Sequence, residues 1–419
     1  MGYFNRFYKF HLTSFIALIL VQPGSLLAAL DHQTLQRSAS LTFQQVFDAA
    51  LDNAPESLSG PSRQEQLRQY DQLAQRLFPG QPVLEANFID DGPLDAIGLR
   101  ELEAGLRLDL WRPGERQQSE NLAGRLSEMY QAWQANLSLE VAGRLRAALW
   151  ALQQVDDLLE LEREALAVAE QFAELATAQF AAGSVAESDV LRARSLLMAR
   201  QQAVYEAEAE LVDAEREYTV LTGLTVRPAA VFQEQQDSAE AISISHPLLQ
   251  FLQANVELAR SKVQRTRLQS GESPSFSFGV RRERGSSLNE YNDSLGIGLS
   301  FPLGRSAAAA SQVSDARRDQ ADMQVALQRG RILLEQQLHE AEHQLYTIRL
   351  NLELVAQQAE LSEQQWEMAS LAYELGESDA LAVSLALQDL VAARKNHRVA
   401  QLRLNRLISD YNQSLGLLP

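Results

Sequence analysis

One group of residues in the chain has the spacing that is typical of a zinc protease. His339, Glu340, Ala341, Glu342 and His343 form the pattern HExxH. On a helix, histidines four residues apart share a face and bind zinc, while the intervening glutamate activates water. The surrounding sequence is rich in Glu and Gln, as on the wet face of a long helix, where this spacing arises by chance. We therefore interpret the motif as coincidental and expect no catalytic residue, no metal site and no cofactor; a zinc metalloprotease is an alternative interpretation.

The composition of the chain excludes several other kinds of chemistry. The 419 residues include no cysteine, which rules out a disulfide scaffold, a thiol enzyme and a metal site with cysteine ligands. Acidic side chains outnumber basic ones by 55 to 37, and the net charge is −18. Because nucleic-acid binding needs a basic surface, we expect no nucleic-acid partner.

Residues 1–29 have the pattern of a secretory signal peptide. Arg6 and Lys9 form a basic start, residues 12–21 form a short apolar segment, and the small pair Ala28-Ala29 follows. About ten apolar residues are too few to span a bilayer, which favours a cleaved signal over an anchor. The sequence therefore predicts an exported protein.

Proline placement indicates where long helices can form. Residues 114–227 and 303–418 contain no proline, the residue that breaks helices. From 114 to 181 apolar residues recur at steps of three and four, which predicts an amphipathic helix roughly 100 Å long. A break at Gly183 precedes a second helix, for which Ser184 and Glu187 have capping-box spacing. The second half repeats this pattern, with its break at Gly376.

The chain is interpreted as a tandem duplication. Aligning Gly105 with Gly296 gives an offset of 191 residues, and aligning Gly183 with Gly376 gives 193. The first repeat is expected to span 30–240, with lead-in helices, a β-hairpin at 82–111, a long helical hairpin at 114–223 and a linker at 224–240. The second is expected to span 241–419, with a helix at 247–269, a β-hairpin at 274–302 and a long helical hairpin at 307–415.

The two β-hairpins have one apolar face. Leu102, Leu106 and Leu108 alternate with polar residues such as Glu103 and Arg107. Four strands cannot cover their own edges, and closed membrane barrels begin at about eight strands, so several copies of the chain are needed to close a ring. A half-buried sheet of a soluble protein alternates in the same way, and the strands alone do not separate the two interpretations.

Three segments together resemble the TolC-like family of outer-membrane efflux and secretion channels. Residues 41–56 are similar to the opening helix of that family and its closing Asn-x-Pro-Glu, here Asn53 to Glu56. His246-Pro247 begins the second half, and residues 183–191 look like a helical tip of the family. The resemblance implies a mainly α fold with four strands per chain. Three chains are then expected to form a 12-stranded outer-membrane β-barrel and a periplasmic α-helical tunnel.

The resemblance also implies partners and a function. A homotrimer in outer-membrane lipid, extending into the periplasm, would dock onto a periplasmic adaptor (membrane fusion protein) and an inner-membrane pump. It would act as the passive exit duct of a tripartite efflux or type I secretion system, and not as an enzyme. Metal ions, drugs and polypeptides all fit an acidic tunnel as cargo. A soluble periplasmic coiled-coil adaptor or scaffold is the main alternative.

Candidate site residues follow from the resemblance. At the periplasmic tips, the residues expected to dock the adaptor are Gly183, Ser184, Asp189, Gly376 and Glu377. The candidate constriction contains Glu377, Asp379, Ala382 and Leu385. Ala382 and Leu385 stand where the best-known members carry two aspartates, so a hydrophobic gate around Leu385 and an acidic ring from Glu377 or Asp379 are both open. Trp111 ends a strand and is expected to lie at the membrane interface.

Overall fold

The computed structural model describes residues 34–92, 97–269, 272–304 and 307–419. The expected signal peptide at 1–29 lies outside these residues. Seven α-helices are described: α1 (Phe43–Asn53), α2 (Gly60–Gln75), α3 (Glu115–Ala181), α4 (Glu187–Thr222), α5 (Pro247–Gln269), α6 (Ala307–Glu374) and α7 (Ala380–Ser414). The six described strands are β1 (Gln36–Ser38), β2 (Val83–Asp90), β3 (Arg100–Asp109), β4 (Val226–Pro228), β5 (Ser275–Arg284) and β6 (Asn292–Ser300). A short 3₁₀ helix, Pro55–Ser59, separates α1 from α2.

The long helices pack side by side in two hairpins. α3, with 67 residues, packs along α4, and α6, with 68 residues, packs along α7. α3 also contacts α5 and α7, and α5 contacts α6, so α4 and α6 lie towards the two outer edges of the layer. In the described part of the chain, no helix combines the length and the apolar character needed to cross a membrane.

The start of the chain is fastened to the end of α4. Thr42 and Gln45 form a reciprocal capping box at the start of α1, in which each side chain bonds to the backbone N–H of the other. At the other end of α1, the Asn53 amide donates to the carbonyls of Val220 and Leu221 at distances of 2.8 and 3.1 Å. These carbonyls have no partner within α4, because they belong to its last turn. Asn53 thus holds α1 against the C-terminal end of α4.

Strands β2, β3, β5 and β6 form one antiparallel sheet in that order. Side chains of directly paired residues lie on the same face, and the register places Leu106 beside Leu84 and Phe278. One face therefore carries only apolar residues along most of its length: Leu84, Ala86, Phe88, Leu102, Ala104, Leu106, Leu108, Phe276, Phe278, Val280, Leu295, Ile297 and Leu299. Most of the large side chains among them are exposed in the single chain, which is unfavourable in water.

A row of glycines crosses the opposite, polar face. Gly105 pairs with Gly279, and Gly279 pairs with Gly296. A Cβ atom on Gly279 would lie 2.7 Å from the carbonyl oxygen of Ala104 and 2.8 Å from Cα of Gly105, closer than atoms can pack. The backbones of β3 and β5 thus approach each other most closely on the polar face, as on the inner side of a bent sheet. We infer that the polar face is concave and the apolar face convex.

A second, small sheet was not predicted. β1 and β4 pair in parallel, with Gln36 opposite Val226. Beside it, the buried guanidinium of Arg227 contacts both carboxylate oxygens of Asp156 and lies 3.1 Å from Glu215. The backbone N–H of Leu35 donates to Glu215 at 2.8 Å. Burial raises the pKa of Glu215, although the N–H of Leu35 and the charge of Arg227 favour its ionised form.

The segment that links the two hairpins is held by a buried ion pair. The Arg146 guanidinium on α3, which is 2% exposed, donates to Glu234 at 2.6 Å and to the carbonyl of Leu417 at 3.0 Å. The side chain of Asn412 on α7 accepts from the N–H of Asp237 and donates to the carbonyl of Gln235. Residues 234–237 are therefore fastened to α3 and α7 by side chains from both.

The predicted fold class is confirmed, because the chain is mainly helical, with two long helical hairpins and a four-stranded sheet. Strands β5 and β6 extend beyond their alternating apolar residues. β5 continues through Arg284, and β6 begins at Asn292. These added residues are charged or polar, and periodicity alone does not place them in a strand, because their pairing supplies the hydrogen bonds.

We predict that Gly279→Ala destabilises the sheet by about 1–3 kcal/mol, because the new methyl group must push β3 and β5 apart. Gly296→Ala is the matched control, since its Cβ would meet only the carbonyl oxygen of Gly279, at 3.9 Å. Thermal unfolding of the detergent-solubilised protein, followed by circular dichroism, measures both. Equal midpoints for the two variants would show that the glycine row does not determine the approach of the strands.

Candidate functional site

The tip of the first helical hairpin is a tight turn centred on Gly183. Gly183 has φ +78°, in the left-handed region that favours glycine. Its N–H donates to the carbonyl of Phe180 at 2.9 Å, and the N–H of Ser184 donates to the carbonyl of Gln179, also at 2.9 Å. This pair of bonds is a Schellman motif, which closes the end of α3.

The tip of the second hairpin repeats the same geometry. Gly376 has φ +75°. Its N–H donates to the carbonyl of Tyr373 at 3.0 Å, and the N–H of Glu377 donates to the carbonyl of Ala372 at 2.8 Å. Gly183 and Gly376 therefore hold equivalent places, and so do the predicted tip residues Ser184 and Glu377.

The helices that leave the two tips begin differently. The predicted capping box of Ser184 and Glu187 is wrong, because α4 begins after Ala186, with no side-chain hydrogen bond at its cap. Ser184 instead belongs to the turn that closes α3. At the second tip the Asp379 carboxylate accepts from the N–H of Ala382 at 3.0 Å and caps α7. Asp379, a candidate constriction residue, thus also has a structural role.

The two tips are packed against each other. Tyr373 of α6 is 1% exposed, and its ring meets Phe172 of α3 edge to face, with centroids 5.3 Å apart. The side chain of Gln179 donates to the carbonyl of Tyr373 at 3.5 Å. Small and apolar residues of all four helices surround this contact, among them Ala169, Ala193, Val383 and Leu387. The tips therefore form one surface.

The duplicated tip positions have diverged. Tyr373 lies three residues before Gly376, as Phe180 lies three residues before Gly183. Phe180 is 44% exposed, whereas Tyr373 is buried. Sequence reasoning aligned the two residues and missed this difference, because it depends on which hairpin lies beside each ring.

Carboxylates are concentrated at this surface. Glu187, Glu374, Glu377 and Asp379 are exposed, and Asp189 is half-buried. Burial and the negative charge of Asp189 raise the pKa of Tyr373, so the two hairpins also interact electrostatically. Arg192 and Arg194, one turn into α4, offset part of the negative charge.

The constriction candidates Ala382 and Leu385 lie on the first turns of α7. Leu385 is 50% exposed, and Ala382 is half-buried. Together with the exposed Leu381 they place an apolar strip directly beside the acidic tip. The surface therefore contains residues for both kinds of constriction. Glu377, for an acidic ring, lies at the turn, and Leu385, for a hydrophobic gate, lies eight residues later on α7.

The HExxH residues lie far from the tips. His339, Glu340 and His343 are exposed on α6. Across the described ranges, no three or more His, Cys, Asp or Glu side chains come together as a metal-binding group.

Trp111, the expected interfacial anchor, is half-buried, and its indole N–H donates to the carbonyl of Arg76 at 3.2 Å.

The outer edges of the helical layer carry apolar residues that sequence reasoning missed. On α4, the exposed Leu191, Met198 and Tyr205 are spaced seven residues apart. On α6, Leu354, Leu361 and Met368 have the same spacing and exposure. A seven-residue apolar repeat is typical of a coiled-coil seam. The spacing was visible in the sequence, but only the structure shows that none of the described helices covers these residues.

The sequence matches no protein-family model and no curated protein. Solved structures do match it. The outer-membrane channel OprN is 19% identical, has a TM-score of 0.69 and covers 89% of each chain. The CmeC outer membrane channel of Campylobacter jejuni is 16% identical, with a TM-score of 0.71 over 89% of this chain and 85% of that one. The outer membrane protein VceC of Vibrio cholerae is 14% identical, with a TM-score of 0.70 over 89% and 95%. The chain therefore has the fold of these outer-membrane channels, in agreement with its resemblance to TolC-like proteins.

Proposed function

We propose that this protein is the outer-membrane channel of a tripartite efflux or type I secretion system. It acts as a passive exit duct, located in the outer membrane and extending into the periplasm. The proposal rests on one observation: the same chain contains a sheet with a face that is apolar along most of its length and two helices of about 100 Å. A duct that crosses both a membrane and a periplasm needs both parts.

Three copies of the chain form the channel. β2 and β6 are the outer strands of the sheet, so each presents one unpaired edge to a neighbouring copy. Three sheets of four strands then close a ring of 12, with the apolar convex faces outward and the polar concave faces inward. In the same arrangement the seam on α4 of one copy covers the seam on α6 of the next, which removes both sets of exposed leucines from water.

The chain is a tandem duplication with boundaries at 30–240 and 241–419. Three copies of a twofold repeat give the tunnel six similar helical hairpins. The packed tips then form a ring at the periplasmic end. The residues of this ring that bind the adaptor are Gly183, Ser184, Asp189, Gly376 and Glu377. The inner-membrane pump supplies the energy for transport, and this chain contributes no chemistry of its own. Trp111 marks the end of the sheet nearest the periplasm.

The alternative of a soluble periplasmic scaffold is less well supported. It accounts for the helical hairpins but leaves the apolar face of the sheet in water. Cell fractionation separates the two: a channel requires detergent for release from the outer membrane, whereas a scaffold is released with the periplasmic contents.

We predict that Met198→Glu abolishes assembly and export, because it places one buried, unpaired charge in each seam of the trimer. Ala199→Glu is the matched control. Ala199 is exposed on the same turn of α4 but points about 100° away from the seam. Sedimentation in detergent measures assembly, and resistance of a channel-deficient strain to a pump substrate measures export.

A trimer that survives Met198→Glu, or an equal loss of assembly with Ala199→Glu, would contradict the proposed seam.

The double variant His339→Ala, His343→Ala is expected to export normally. A chelator-sensitive peptidase activity of the purified protein, lost in that double variant, would instead support the metalloprotease interpretation.

We further predict that Glu377→Gln combined with Asp379→Asn lowers the preference of the channel for cations. An inward ring of carboxylates concentrates cations at the tunnel entrance. Asn caps a helix about as well as Asp, so the start of α7 is retained. Reversal potentials of single channels in a salt gradient give the selectivity, and Glu360→Gln, on an exposed part of α6, is the control. Unchanged selectivity in the double variant would favour a hydrophobic gate around Leu385.

A further inference from the structure

Three arginines lie at the loop end of the convex face of the sheet. Arg100 is paired with Arg284, and Arg282 is paired with Leu102, so all three side chains share the face of the apolar residues. This end of the sheet carries the β2–β3 and β5–β6 connections, whereas the other end continues into the helices. The apolar face is thus bordered by guanidinium groups at the end remote from the helical tunnel.

Tyr291 gathers the arginines into one cluster. The guanidinium carbons of Arg282 and Arg284 lie 5.1 and 5.0 Å from the centroid of its ring. The hydroxyl of Tyr291 also interacts with the side chain of Arg100. Arginine over an aromatic ring is a favourable contact that leaves the edge of the guanidinium free to donate hydrogen bonds. Tyr291 is half exposed, so the cluster is open to an outside ligand.

Within the described residues, the arginines of this cluster outnumber the carboxylates that form ion pairs with them. Arg100 lies 2.9 Å from Asp90, and Arg282 lies 3.4 Å from Asp293. The pair of Arg282 and Asp293 is largely exposed, and such pairs contribute little stability. In the other pair, Asp90 is half-buried. Arg284 donates to the carbonyl of Gly98 at 3.1 Å and forms no ion pair with any carboxylate of the described residues. Three guanidinium groups therefore face two carboxylates.

The opposite face of the same strand shows the contrasting arrangement. Arg281 lies on the concave face, within 2.8 Å of Glu101, 2.6 Å of Glu283 and 3.6 Å of Glu103. The positive charge of Arg281 is therefore more than balanced by these three carboxylates. Among the strand residues at the loop end, arginines therefore outnumber carboxylates on the convex face and not on the concave face.

We propose that Arg100, Arg282 and Arg284 bind the phosphate groups of a phosphorylated glycolipid in the outer leaflet of the outer membrane. This inference rests on the proposed function, which puts the convex face in the membrane and the loop end at the cell surface. Acyl chains then lie along Phe88, Leu102 and Val280, and the phosphates lie level with the arginines. Guanidinium groups bind phosphate through two parallel hydrogen bonds, which suits a ligand that carries phosphate above an apolar body.

The test compares a double variant on the convex face of β5 with a single variant on the concave face of the same strand. The full chain, purified in nonionic detergent, is titrated with bisphosphorylated lipid A, and bound lipid is counted by native mass spectrometry alongside the thermal midpoint. Arg282→Gln combined with Arg284→Gln is expected to weaken binding by at least about tenfold, since two charge-assisted contacts are lost. Arg281→Gln, on the other face of the same strand, is expected to bind as the wild type does.

Two further ligands test whether the arginines recognise phosphate that is attached to a lipid. Lipid A without its phosphates is expected to bind at least about tenfold more weakly to the wild type, and inorganic phosphate at the same concentration is expected to leave the midpoint unchanged. Equal binding by the Arg282→Gln, Arg284→Gln variant, equal binding of the dephosphorylated lipid, or an equal midpoint shift with inorganic phosphate would each overturn the proposal.

Fractionation of the same strains keeps this proposal separate from the proposed function. A wild-type protein that is in the outer membrane but does not respond to lipid A would overturn the lipid site and leave the channel standing. A wild-type protein that is absent from the outer membrane would overturn the proposed function and, with it, the lipid site.

Discussion

The described residues of a single chain do not cover the convex face of the sheet, and the rest of the molecule depends on this constraint. Leu84, Val280, Leu295 and their neighbours stay exposed, and the outer strands β2 and β6 each pair on one side only. Apolar surface and unpaired strand edges are both costly in water. In the proposed channel, additional copies of the chain and a nonaqueous environment would relieve both costs together. The long helices are under the same constraint, because the apolar seams on α4 and α6 are also exposed to water.

The direction in which the sheet bends assigns the two faces to different surroundings. The close approach of β3 and β5 at Gly105 and Gly279 makes the polar face the inner one. That face carries more acidic than basic residues, namely Glu85, Glu101, Glu103, Asp109 and Glu283 against Arg107 and Arg281. In the proposed closed ring these charges would line a wet interior, and that lining would account for part of the net charge of −18.

Buried ion pairs hold the region where the two halves of the chain meet. The ion pairs of Arg146 with Glu234, and of Arg227 with Asp156 and Glu215, fasten the linking segment and β4 to α3 and α4. Removing one partner of such a pair leaves an uncompensated buried charge, at a cost of about 3–5 kcal/mol. These contacts specify how the halves fit together. They join residues far apart in the chain, so no local pattern in the sequence could reveal them.

The sequence by itself determined the parts of the fold that depend on local periodicity. Missing prolines and apolar steps of three and four predicted the long helices, alternation predicted the strands around Leu106, and glycine marked both tips, because a positive φ there requires it. Only the tertiary structure decided which face of the sheet is concave, why Tyr373 is buried while Phe180 is exposed, and that Asp379 caps α7. It also showed that no other described segment of the chain covers the seams on α4 and α6. Each of these depends on which segments become neighbours in space, and periodicity along the chain does not contain that information.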